Sequence, residues 1–224
     1  MAYCSAAGQG SSDSPSRGTR APESLNEALS EYVSASPPSS LLEGSSIAFA
    51  TIDDIDAYAS HIVAHLGESG REGMPRFALN RSTSEEDVRK AFPERWQRNP
   101  DEPNWGRAWL LRVPISDHVV GHIELRGGKT PQEMHRAYLS MGLRRSFTGR
   151  GLGRRLLDTA VDWARTQKNL EWIDLGVFAE NETAIKLYKR YGFMETGFRR
   201  DAFRLEDGAV VDEILMSLRL GADR

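Results

Sequence analysis

Between residues 147 and 157 the chain reads Phe147-Thr148-Gly149-Arg150-Gly151-Leu152-Gly153-Arg154-Arg155-Leu156-Leu157. An apolar run, Leu139-Ser140-Met141-Gly142-Leu143, comes before it, and Leu152, Leu156, Ala160 and Trp163 recur after it at helical spacing. A strand, a glycine turn and an amphipathic helix over 151–167 are therefore expected, a unit that belongs to an α/β domain. The N-terminus of such a helix presents unpaired N–H groups and partial positive charge, and glycines let a phosphate approach without meeting a Cβ. Arg144, Arg145, Arg150, Arg154 and Arg155 add fixed positive charge around the turn. A diphosphate site and a purely structural turn with a solvated arginine face fit the turn alone equally well.

Two better-known phosphate signatures are excluded. Gly128-Lys129-Thr130 ends like a Walker loop, but its first glycine would fall at Ile123. A dinucleotide fingerprint needs a third glycine where Leu156 stands.

The rest of the chain frames this unit. A strand over 47–50 leads to a helix carrying Ile55, Tyr58, Ala59, Ile62 and Leu66, then a glycine-containing loop over 67–73. Ser84 starts a second helical stretch with acids in its first turn, where the helix dipole favours them, and Pro93 breaks it near Phe92. Strands are expected over 108–113 and 119–125, joined through Ser116-Asp117, and over 135–144. A strand over 172–178, a helix over 182–190 and strands over 193–204 and 209–218 follow, the last two around Asp207-Gly208.

Residues 1–45 differ in texture. They are rich in Ser, Pro, Gly and Ala, a composition expected to remain a flexible extension, with a short helix over 23–33 as its one element. The 224-residue chain carries a net charge of −3, which argues against a general nucleic-acid binder. It has no apolar run of the roughly 20 residues that a membrane span needs. The start lacks the pattern of a secretory leader, and the one cysteine, Cys4, excludes an internal disulfide framework, so a cytoplasmic setting is expected.

A second motif lies downstream: Asn181-Glu182-Thr183-Ala184-Ile185-Lys186-Leu187-Tyr188-Lys189-Arg190-Tyr191-Gly192-Phe193. Together with Gly151-x-Gly153 at this interval, it resembles motifs A and B of the GCN5-related N-acetyltransferases. The resemblance covers roughly 47–220 and includes the final strand around Asp212 and Glu213. It implies a mixed, mostly antiparallel central sheet flanked by helices, the acyl-CoA N-acyltransferase fold, in a domain over 46–220. The activity implied is acetyl transfer from acetyl-CoA to a primary amine of a small molecule or a protein, with acetyl-CoA as co-substrate and no metal. The expected partners are an amine acceptor and a second copy in a homodimer, with neither nucleic acid nor membrane. A non-catalytic acyl-CoA sensor and a transferase of longer acyl groups are the alternatives.

The resemblance also implies roles. Backbone groups of Met141 and Leu143 would pair with the pantetheine arm, and the N–H groups from Gly149 through Arg150, Gly151 and Gly153 to Arg154 would hold the pyrophosphate. The family usually carries Arg or Gln where Thr148 stands. The Thr148 hydroxyl would donate in its place, helped by Arg145 or Arg150. Asn181 would contact the pantetheine, and Asn also suits the N-cap of the following helix. Tyr188, an ordinary core aromatic by its helix position alone, would protonate the departing thiolate. The family's strand glutamate is replaced by Ala137, so Glu124 is the substitute base, with His122 on the same strand face and His135 as further candidates.

The remaining polar clusters are expected to be structural. His61 and His65, like Asp158 and Asp162, are spaced for solvated helix faces and lack a full metal set. Trp96, Trp105 and Trp109 fit core packing better than an acceptor pocket. Asp212 and Glu213 are either cation attractors or strand-end pairing partners.

Overall fold

The computed structural model describes residues 42, 44–114 and 118–221. The N-terminal extension with its expected helix and Cys4, and the Ser116-Asp117 connection, lie outside these residues. Seven strands, β1 (Ser46–Phe49), β2 (Gly106–Arg112), β3 (Val119–Gly127), β4 (Arg136–Leu143), β5 (Trp172–Phe178), β6 (Met194–Arg204) and β7 (Val210–Arg219), form one sheet in the order β1-β2-β3-β4-β5-β7-β6. All neighbours are antiparallel except β4 and β5, which run parallel. This is the mixed sheet that the sequence implied.

The helices cover both faces. On one face lies α4 (Leu152–Thr166), whose Leu152, Leu156, Leu157, Ala160, Val161 and Ala164 are buried against Trp109, Leu111, Ile123, Leu125, Leu139 and Ile173. The inward residues of α4 recur every three or four positions, which is why that sequence folds as a helix once the sheet supplies an apolar face. α5 (Glu182–Tyr191) joins the same core through Ile185 and Tyr188. The other face takes α1 (Ile55–Gly67), α2 (Glu85–Ala91) and α3 (Pro93–Gln97), with Tyr58, Ile62, Val88, Phe92 and Trp96 over Ala108 and Leu110. Strand β2 thus alternates its side chains between two cores. The expected break falls at Phe92, which ends α2 and precedes Pro93 in the first turn of α3, where a missing N–H does no harm.

Pairing between β4 and β5 is confined to Arg136↔Trp172, Ala137↔Ile173 and Tyr138↔Asp174. Arg136 closes this joint with bidentate hydrogen bonds to Asp174, both at 2.6 Å, and Ser217 donates to the same carboxylate at 2.6 Å. Beyond the joint β4 continues beside β3 as far as Leu143, and β5 continues beside β7 as far as Phe178. The two parallel strands therefore diverge, each held by its outer neighbour.

Under α1 the sheet carries a buried histidine cluster, a departure from the expected solvated face of His61 and His65. Both rings are turned into the protein because α1 packs this face onto β3 and β4. Nε2 of His61 and Nδ1 of His122 share a hydrogen bond of 2.9 Å, and His61 and His65 stack with centroids 5.9 Å apart. Only a glycine fits beneath them: a Cβ on Gly142 would lie 2.2 Å from Nε2 of His65. Desolvation lowers all three imidazoles, His65 to about 4 and His122 to about 3, and His61 well below its usual range. Among the described residues no group of three or more His, Cys, Asp or Glu side chains could hold a metal ion.

Leu156→Ala, which empties a fully buried position, should cost about 2–5 kcal/mol in urea unfolding at unchanged m-value. The histidines predict a pH dependence of known sign. Unfolded, each binds a proton below about pH 6.5; folded, His65 and His122 stay neutral down to about 4 and 3. The unfolded state therefore binds more protons as pH falls through this window, and stability present above pH 6.5 is lost at about 1.4 kcal/mol per pH unit per histidine. Urea midpoints from pH 7 to 5 should follow this slope, and His65→Asn should flatten it relative to the parent protein.

Candidate active site

The divergence of β4 and β5 opens a cleft of about 770 Å³ that crosses the sheet. Its walls come from the separated strands: Met141, Gly142 and Leu143 on β4, and Gly176, Val177 and Phe178 on β5. Parallel neighbours that stop pairing leave strand edges facing the gap, where an extended ligand can add as a strand.

One end of the cleft is the glycine turn. Gly149 and Gly151 have φ of 73° and 76°, the left-handed region that side chains with a Cβ avoid. Gly151 caps α4 without any side-chain hydrogen bond to the first turn; the N–H groups of Arg154 and Arg155 donate to its carbonyl at 3.1 and 3.2 Å, so the N–H groups before them are the ones offered to a ligand. Thr148, Gly149, Gly151, Gly153 and Arg154 line this end. A Cβ on Gly149 or Gly151 would meet nothing within 4 Å, which leaves the cradle open on that side. Arg154 stacks its guanidinium 5.2 Å over Tyr191 and leans on Asp158 at 3.7 Å. Lys186 and Arg190 also line the cleft, two cations that the sequence reading passed over. Their spacing of four on one helix face was the available signal.

Two expected contributors lie elsewhere and a third is turned away from a ligand. Arg145 does not line the cleft; it pairs with Glu72, and its backbone N–H donates to Glu68 at 2.9 Å. Arg150 is half-buried and is not part of the lining either. The Thr148 hydroxyl lines the cleft but donates to the Arg145 carbonyl at 2.8 Å, so its proton is not directed at a ligand in this structure. Positive charge at the cleft therefore comes from Arg154, Lys186 and Arg190.

The middle of the cleft holds Asn181 and Tyr188. Asn181 caps α5, its Oδ1 accepting from the Ala184 N–H at 3.2 Å, while the residue also faces the cleft. Tyr188 is buried, and burial pushes its phenol well above the ordinary value near 10. It therefore stays protonated across the working range.

The far end is built by α1, Phe92 and the loop over 73–80. Ser69 organises that loop, its buried Oγ accepting from the N–H groups of Phe77 at 2.9 Å and Ala78 at 3.0 Å. Tyr58, Ile62, Leu66, Phe77 and Phe92 form the wall, with His65 and His122 among them. His122 lines this end of the cleft, its Nδ1 sharing the hydrogen bond with Nε2 of His61.

Glu124 does not reach this cleft. It shares a strand face with His122 but lies two residues farther along β3, under α3. There it is 2% exposed, 3.7 Å from Arg95, and its carboxyl is raised by desolvation. His135 is exposed at the opposite end of β4, and Ala137 is buried against α4. Trp105 and Trp109 pack on Trp163 at 5.6 and 5.4 Å, and Trp96 packs on Tyr58. Asp158 and Asp162 pair with Arg154 and Arg165 on the outer face of α4. Glu213 is wholly buried, held by Arg199 at 2.7 Å, and Asp212 accepts from the Asp201 N–H at 2.7 Å.

Known proteins resemble this chain in sequence and in fold. The chain is 29% identical over 103 residues to the L-amino acid N-acetyltransferase AaaT of Escherichia coli, covering 46% of this chain and 63% of that protein. It is 35% identical over 88 residues to the N-alpha-acetyltransferase RimI of Mycobacterium tuberculosis, covering 39% of this chain and 52% of that one. The chain thus spans between half and two-thirds of the lengths of these curated relatives. In fold it is similar to yncA of Salmonella typhimurium, solved with its cofactor acetyl-CoA, at a TM-score of 0.66 and 20% identity over 81% of this chain and 96% of that one. The profile of the Acetyltransferase (GNAT) family matches residues 76–193, from the loop that walls the cleft to the end of α5, and the chain belongs to that family.

Proposed function

We propose that this protein is an N-acetyltransferase that moves an acetyl group from acetyl-CoA directly to a primary amine. The observation that carries the reading is one continuous cleft with an open α4 N-terminus at one end, Tyr188 inside it and an imidazole facing it from the other side. Acetyl-CoA fits the residues present. Its diphosphate would rest on the N–H groups from Gly149 to Gly153, beside the side chains of Arg154, Lys186 and Arg190. Its pantetheine arm would run along Met141 and Leu143, with Asn181 across the gap.

In the reaction the amine lone pair attacks the thioester carbonyl carbon, a C–N bond forms, and the C–S bond breaks. The thiolate takes the proton of Tyr188, a phenol that is protonated at neutral pH. The nitrogen must lose a proton, and once bonded to carbon it is far more acidic than a free ammonium. A neutral imidazole then suffices as acceptor. His122 meets that need through Nε2, while its Nδ1 is oriented by His61. The base assigned here is thus the strand neighbour of Glu124 rather than Glu124 itself.

Tyr188→Phe should lower kcat by about 10²-fold or more in a thiol-release assay. The acetyl-CoA Kd from calorimetry should stay within about twofold, since binding rests on the turn and strands. A cofactor-sensing module would bind acetyl-CoA equally well and show no amine-dependent thiol release in the parent protein. His122→Gln keeps a group of similar length beside His61. It should lower kcat by about 10-fold or more, and unaltered turnover would remove His122 from the scheme.

A further inference from the structure

The acceptor end of the cleft differs from the cofactor end in one respect: among the described residues it carries no ionised side chain. Its wall is Tyr58, Ile62, Leu66, Phe77 and Phe92, closed by the loop over 73–80, and its polar groups are His65, His122, Asn80 and Ser140. No Asp or Glu lines any part of the cleft among the described residues, and the cations that do, Arg154, Lys186 and Arg190, belong to the α4 and α5 end.

Each nearby carboxylate has an arginine beside it and none reaches the lining, although one oxygen of Glu124 and one of Glu213 accept no hydrogen bond among the described residues. Glu68 is held by Arg144 at 2.7 Å, Glu124 lies beside Arg95, and Glu213 sits behind Gly176, wholly buried on Arg199. Arg76 and Arg81, in and beside the wall loop, turn away to Asp207 at 3.6 and 3.9 Å. An ammonium group entering this end would leave water without a counter-ion, and a carboxylate would meet the same cost. The two histidines are neutral, so they neither repel a cation nor supply the strong base that would strip a proton from one.

We propose that the acceptor is a weakly basic primary amine that enters as its free base, on an apolar or aromatic body with no carboxylate and no second ammonium. This rests on the acetyl-transfer reading and names the acceptor chemistry of that same cleft. The aromatic wall supplies contact area for such a body, and the absence of fixed charge excludes polyamines, lysine side chains and free amino acids.

The test is a four-acceptor comparison at pH 7.5 on the full chain: phenylalaninamide, phenylalanine, spermidine and Nα-acetyl-lysinamide, read by thiol release. An α-amino group with a pKa near 8 is unprotonated to a far greater extent than a lysine amine near 10.4, so phenylalaninamide should lead the lysine derivative by on the order of 100-fold in kcat/KM. It should lead phenylalanine and spermidine by about 10-fold or more, the cost of an unpaired charge at the wall. Phe77→Asp, which places a carboxylate in that wall, should shift the preference toward spermidine. Spermidine, phenylalanine or the lysine derivative matching phenylalaninamide overturns the assignment, as does acetyl-CoA binding with no turnover of any of the four. Calorimetry separates the two levels: a protein that does not bind acetyl-CoA refutes the acetyl-transfer reading itself.

Discussion

The architecture depends on the point where β4 and β5 stop pairing. Three residue pairs join them, clamped by Arg136 on Asp174, and beyond that joint each strand follows its outer partner. Had the pairing continued to Leu143 and Phe178, the sheet would be closed and no cleft would cross it. Because it stops, backbone edges in mid-sheet face a gap, which a sheet otherwise permits only at its rims. The glycine turn and α4 follow β4 directly, so the helix N-terminus opens where the strands part. α5 follows β5 in the same way and brings Asn181 and Tyr188 to the other side.

The electrostatics of the cleft divide along the same line. Cations and helix N–H groups gather at the α4 and α5 end. The α1 end is walled by rings and neutral imidazoles. Burial sets both kinds of polar group in the centre: it keeps the phenol of Tyr188 protonated and the imidazoles of His65 and His122 unprotonated. A phenol that holds its proton and an imidazole that lacks one are the two states that acetyl transfer from a thioester to an amine requires. Desolvation favours both neutral forms, while making the phenol a weaker acid and the imidazole a weaker base.

Much of the fold was legible in the sequence. The helical spacing of Leu152, Leu156 and Ala160, the Asp207-Gly208 turn and the break at Pro93 each rest on interactions within a few residues. Most of the residues named from the two motifs line the cleft for the same reason: turn and helix start are contiguous in sequence. Most of the misplacements were long-range. Arg145 looked available because its neighbours in sequence leave it so, whereas the Thr148 hydroxyl is taken up locally by the Arg145 carbonyl. Glu68 and Glu72, more than seventy positions away, engage the backbone and side chain of Arg145. His61 and His65 read as a solvated pair because helical spacing cannot tell which polar face a sheet will cover.

By itself the sequence determined the α/β class, the order of elements and the glycine turn that opens α4, because backbone preference and apolar period are local properties. Only the tertiary structure decided which of two residues on one strand face reaches the cleft. His122 and Glu124 are equivalent by alternation along β3, yet α3 and Arg95 cover one while the gap between β4 and β5 exposes the other. That difference lies in the packing of segments distant in sequence, where the desolvation that sets each group's protonation state also arises.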